Sequence, residues 1–159
     1  MLITVFLYLL SIMFQASFPP LYPLGRKAGT DVFRPLSSEH PTDETFPGLL
    51  ILRTEGRMNF ASAPNLTDKL WQFINEDNPD VLLIDLSAVP DLEYSELNLL
   101  AEFEEELNEQ GVALWLAALN PVPLPITQKS SSGERVGSER LFFNLHQAVE
   151  MYLSQKQAE

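Results

Sequence analysis

VLLIDLSAVPDLEYSELNLL, residues Val81 to Leu100, is the stretch on which the fold turns. Val81 to Leu86 is continuously apolar until Asp85, as in a strand buried on both faces at the centre of a sheet. A Pro-containing loop follows, and the period then changes from strand to helix. From Ser95 to Gln110, Leu97, Leu100, Phe103 and Leu107 fall on one face, with Ser95 as the N-cap and Gly111 as the stop. The stretch upstream, PGLLILRTEGRMNFASAPNL (Pro47 to Leu66), has the same order. Leu49 to Arg53 reads as a strand punctuated by Gly48 and Gly56, and Arg57 to Phe60 follows closely enough for an antiparallel hairpin. Asn59 or Ser62 then caps a helix through about Asn75 that places Leu66, Leu70, Phe73 and Ile74 on one side.

Downstream, Val112 to Leu116 is a further buried strand. Leu145 to Gln155 is a closing helix with Leu145, Val149 and Leu153 aligned and Asn144 as its cap. Alternating strands and helices imply an α/β sandwich in which helices pack against a mixed β-sheet. The stretch from Asn120 to Glu139 is the weakest in pattern: Pro121, Pro123 and Pro125 restrict any helix, and Ser130 to Gly133 ends it early, so a short turn of helix and a mobile loop are expected.

Ahead of this domain (residues 47–155) stand two segments of different composition. Residues 1–18 carry no charge and as a helix would reach about 27 Å, nearly the ~30 Å of a hydrocarbon core. No basic residue precedes them and Ala16-Ser17-Phe18 is a poor cleavage site, which argues against a secretory signal. Arg26 and Lys27 follow, placing the C-terminal side in the cytoplasm by the positive-inside rule. The expectation is the end of a membrane helix; an apolar tail without fixed structure is the alternative. Residues 19–46, with Pro19, Pro20, Pro23, Pro35 and Pro41, read as an extended, semi-stiff linker.

The 159 residues carry a formal net charge of −12 and no Cys. That charge opposes binding to nucleic acid and to anionic lipid, and favours basic partners. Disulfides are unavailable, which is compatible with a reducing compartment.

In α/β proteins ligands gather where strands end and helices begin, which directs attention to Asp85 through Glu96. Asp85, Asp91 and Glu93 would suit a hard cation or a small acid-dependent hydrolase. Alternatively, Asp85 fixes the loop by accepting backbone N–H bonds while the others are solvated. His40 and His146 have no partner at metal-ligand spacing, and His146 is expected on the solvent face of the last helix. No phosphate-cradling glycine loop, nucleophile elbow or triad is present, so no cofactor, metal or enzymatic activity is expected. From Asp91 to Glu109 there are eight carboxylates and no Lys or Arg. Glu102, Glu105, Glu106 and Glu109 would repel along one helix face. They form either a solvated surface or a docking face for a basic partner.

The two quoted stretches together resemble the STAS domain at the cytoplasmic C-terminus of SulP-type anion transporters. The likeness lies in the Pro-Gly, apolar strand, Arg and Gly turn at Pro47 to Gly56, the Phe-Ala-x-Ala helix start at Phe60, and the strand ending Asp85-Leu86-Ser87. It continues in SERLFFNLHQAVEMYL (Ser138 to Leu153) and in PLGRKAGTDVFR (Pro23 to Arg34), which looks like the segment joining the last membrane helix to the tail. The resemblance implies a STAS-like fold and a regulatory part in transport of anions such as sulfate or bicarbonate. It also implies membrane association through Met1 to Phe18, and the transporter's membrane domain or another basic surface as partner, with a homodimer left open. In STAS domains of the sporulation-regulator type a Ser at the helix start is phosphorylated, and Ser95 is the matching position. The neighbours Glu93, Tyr94 and Glu96 depart from that family's pattern, and Glu96 would repel an incoming phosphate. A stand-alone anti-sigma-factor antagonist is the alternative function.

Overall fold

The computed structural model describes residues 3–8, 20–56, 63–90, 94–118 and 140–158; the side chains of residues 63, 64 and 94–98 are outside that description. The expected strand at Arg57 to Phe60, the caps Asn59 and Ser62, and the stretch Asn120 to Glu139 lie outside the described residues. So do Asp91 and Glu93.

Six strands, β1 (Leu21–Arg26), β2 (Phe33–Pro35), β3 (Leu49–Glu55), β4 (Val81–Ala88), β5 (Ala113–Ala117) and β6 (Leu141–Phe142), form one sheet in the order β2-β1-β3-β4-β5-β6. Pairings β3 with β4, β4 with β5 and β5 with β6 are parallel, while β1 pairs antiparallel with β2 and with β3. The helices packed on this sheet among the described residues are α1 (Ala63–Asp77), α2 (Tyr94–Glu109) and α3 (Leu145–Ala158).

Period-two alternation divides the apolar side chains between two layers. Leu50, Leu52, Leu82, Ile84, Leu114 and Leu116 meet Leu66, Leu70 and Ile74 of α1 and Leu100, Phe103 and Leu107 of α2. Leu49, Ile51, Val81, Leu83, Trp115 and Ala117 face the other way, against Leu145, Ala148, Val149 and Tyr152 of α3. The sheet is therefore buried on both faces, which is why its central strands read as unbroken apolar runs.

The ends of the helices follow local chemistry. Asn78 takes a left-handed φ of 47° and ends α1. Gly111, at φ 77°, ends α2, and the Val112 N–H turns back to the Leu107 carbonyl at 3.0 Å. Asn144 caps α3 through Oδ1, which accepts the Gln147 N–H at 2.8 Å. Gly48, at φ 80°, has no room for a side chain, because a Cβ there would meet Asp80 and Tyr152.

The stretch expected as an extended linker is extended, but its backbone is hydrogen-bonded into the sheet as β1 and β2, so the folded unit reaches back past Pro47 to Leu21. The prolines and Gly25 hide a strand signal here, and long-range ion pairs hold it. Arg34 Nε and Nη2 each donate to Asp43 at 2.7 Å, and Arg26 Nε donates to Glu44 at 2.7 Å. Residues 3–8 are helical and exposed. Among the described residues no helix is long and apolar enough to cross a membrane, and the rest of the segment 1–18 lies outside them, apart from the described helical residues 3–8.

Candidate functional site

At the carboxyl ends of the parallel strands, Arg53 of β3 and Asp85 of β4 stand side by side in register on the face that α3 covers. Arg53 Nε donates to Asp85 Oδ2 at 2.6 Å, and the Ser87 N–H donates to Asp85 Oδ1 at 2.9 Å. The Asp85 side chain is 1% exposed and that of Arg53 is 24% exposed. A carboxylate this deep is tolerated because both of its oxygens are engaged and a cation is in contact. Burial by itself would lower the Arg53 pKa, but the hydrogen bond and charge of Asp85, with Tyr22 adding to them, hold it above its ordinary value. Alongside, the Tyr22 hydroxyl donates to Glu55. Burial first, then that bond and the Glu55 charge, push the Tyr22 pKa up.

The pair lies in the wall of an open cleft of about 450 Å³. Across it stand Ser87, the first residues of α3 with their cap Asn144, and the tip that joins β1 to β2. There His146 Nδ1 lies 3.1 Å from Asp31 Oδ1, with both side chains well exposed. His146 is thus at the surface, as its place in the sequence suggested, and it ties α3 to the β1–β2 tip.

Of the candidate residues that the sequence grouped, Asp91 and Glu93 lie outside the described residues. Asp85 faces the α3 layer, whereas α2 packs on the opposite face of the sheet. Tyr94, Ser95 and Glu96 lie on the first turn of α2, and the helix begins at Tyr94, so Ser95 stands just inside it rather than before it. With Oδ1 and Oδ2 of Asp85 both committed, the reading in which it fixes the following loop matches the geometry. Among the described residues no three His, Asp or Glu side chains come together to hold a metal.

On α2, Glu102, Glu105, Glu106 and Glu109 are exposed, and no basic residue occupies its last turn. Glu104 is different: it is 3% exposed, accepts from Asn108 Nδ2 at 2.5 Å and has Arg140 Nη1 at 3.8 Å. Sequence reading missed the roles of Arg53 and Glu104. A signal for Arg53 existed, since LLIL-Arg and LLI-Asp are parallel apolar runs that end in opposite charges.

A family model described as the STAS domain matches residues 40–153. High affinity sulfate transporter 2 of Stylosanthes hamata is 25% identical over 162 residues, a span of 96% of this chain and 24% of that protein. The chain thus covers about a quarter of the length of the sulfate transporters it matches. The murine Slc26a9 anion transporter superposes with a TM-score of 0.80 at 18% identity, over 92% of this chain and 24% of that one. The SulP transporter STAS domain from Vibrio cholerae gives 0.63 at 20% identity, over 77% and 94%. An anti-sigma factor antagonist from Mycobacterium paratuberculosis gives 0.54 at 23% identity, over 68% and 88%. At these identities the superpositions speak for the fold, and the match to the family model, which takes in most of the chain, decides membership: this chain belongs to the STAS domain family.

Proposed function

We propose that this chain is the cytoplasmic regulatory and interaction domain of a SulP-like anion transporter of the sulfate or bicarbonate class, itself without catalytic activity. In this reading residues 1–18 are the end of its last membrane helix. The observation that carries the docking role is the α2 face of Glu102, Glu105, Glu106 and Glu109. Like charges at i,i+3 and i,i+4 cost a few tenths of a kcal/mol per pair. Acids near a helix C-terminus also meet the negative end of the dipole. The last turn of α2 holds no basic residue, and a basic surface on the membrane domain would ease this repulsion. Similarity to sulfate transporters over nearly the whole chain supports the choice of partner.

The test is binding of this chain to the membrane domain of the SulP-type transporter from the same cell, across a salt series. Affinity should fall as salt rises, and more weakly for the Glu102, Glu105, Glu106 and Glu109→Gln variant. Identical binding by both at every salt concentration would make the face merely solubilising.

A stand-alone antagonist in a partner-switching pathway is the second reading, favoured by the shared fold of the Mycobacterium protein. It requires phosphate on Ser95 in cells and a change in partner binding on Ser95→Asp. The hydrolase reading loses support from the engagement of both Asp85 oxygens.

A further inference from the structure

Between the second half of α1 and the β1–β2 hairpin lies a groove of about 470 Å³, open to solvent, at the end of the domain where β3 begins. That volume is in the range of clefts that hold ligands, roughly 300–1,000 Å³. Pro23 of β1, Leu36 just past β2, Leu50 of β3 and Phe73 of α1 give it an apolar lining. The Leu36 N–H donates to the Pro23 carbonyl at 3.0 Å, which holds this leucine beside β1 although it is 39% exposed. Phe73 is half-buried against the core. The charged residues of the lining are Glu76 and Asp77, both exposed, and among the described residues no Lys, Arg or His joins them there. Both stand in the last turn of α1, which holds no basic residue, and so meet the negative end of the helix dipole.

Chemistry selects the occupant. Apolar side chains open to solvent beside two carboxylates suit a long basic side chain, whose methylene stem covers hydrocarbon while its charged head meets the acids. The same carboxylates, in a chain of net charge −12, repel anionic lipid and nucleic acid. We propose that this groove docks a short protein segment in which Lys or Arg adjoins a large apolar side chain. None of the lining residues belongs to α2, so this surface and the α2 docking face stand independently of each other.

The probe is a blocked pentapeptide alternating lysine and leucine, titrated into the full chain and followed by NMR at about 0.1 M salt. Saturable shifts should appear at the Leu36 and Leu50 methyls and the Phe73 ring. Peptides with serine for leucine, or glutamate for lysine, should leave those signals in place. Glu76→Gln combined with Asp77→Asn should weaken binding about fivefold, since two exposed charge pairs are lost, and Leu36→Ser should weaken it by a similar factor. The Glu102, Glu105, Glu106 and Glu109→Gln variant should bind the peptide as the parent does. No shift at Leu36, Leu50 and Phe73 at millimolar peptide, or equal shifts with either control peptide, would overturn the proposal. So would shifts there that follow protein concentration without peptide, because a second copy would then be the occupant. Should a groove variant fail to fold, the three peptides on the parent decide.

Discussion

Replacing Arg53 by Met keeps most of the stem and removes the guanidinium, leaving the Asp85 carboxylate, 1% exposed, with only the Ser87 N–H among the described residues. Breaking a fully buried pair costs about 3–5 kcal/mol because a charge is left behind. Arg53 is 24% exposed, so solvent already screens part of the attraction and the expected loss falls to about 2–3 kcal/mol. Asp85→Asn should cost less, about 1–2 kcal/mol, because the orphaned cation can reach water while the new amide still offers an oxygen to Ser87. The double variant should be more stable than Arg53→Met alone, with a coupling of about 1–2 kcal/mol. Urea denaturation followed by near-ultraviolet circular dichroism is a suitable assay, since Trp115 packs against Phe142 and Tyr152 on the same face of the sheet. Single variants within about 0.5 kcal/mol of the parent, with no coupling, would refute the argument that the pair holds the strand ends together.

Three further outcomes are expected. Asn144→Ala should destabilise by about 1 kcal/mol in urea titrations, because the Gln147 N–H loses its cap. The Asp43 carboxyl is held below its ordinary range by the Arg34 hydrogen bond, which outweighs burial. A depressed folded-state pKa contributes stability above the unfolded value, about 3.9, and loses it as pH falls through the lower folded value. Melting temperatures of Arg34→Met and parent should therefore differ near neutral pH and converge in strong acid; a gap independent of pH would count against the pairing. Finally, Glu102, Glu105, Glu106 and Glu109→Gln should keep the circular dichroism spectrum and unfold at equal or higher urea, since like-charge pairs and acids opposing the helix dipole are removed.

How much of this was legible in the sequence depends on where the information resided. Strands β3, β4 and β5 and helix α2 carry it in local periodicity, so Val81 to Leu86 and the face of Leu100, Phe103 and Leu107 came out as read. Strands β1 and β2 depend on partners far along the chain: Arg26 reaches both Glu44 and Glu150, and no window around Pro23 shows this. The site was legible only in part. Asp85 stood out as a charge ending an apolar run, but its commitment to Arg53 comes from the register of two parallel strands. Grouping Asp85 with Tyr94 and Ser95 followed their nearness in sequence; Leu100, Phe103 and Leu107 of α2 pack on the face of the sheet opposite to the one that Asp85 shares. Glu104 looked like one more acid in a row, since helical spacing alone does not separate the buried position from its exposed neighbours Glu102, Glu105 and Glu106.

Labelled sulfate and bicarbonate uptake tests the central claim most directly, in cells from which this chain has been deleted and to which it is returned as the parent or as the four-Gln variant. The account predicts that uptake of one of these anions falls on deletion, returns with the parent chain, and returns only in part with the variant at physiological ionic strength. Uptake of both anions that is indifferent to the presence of the chain would contradict it.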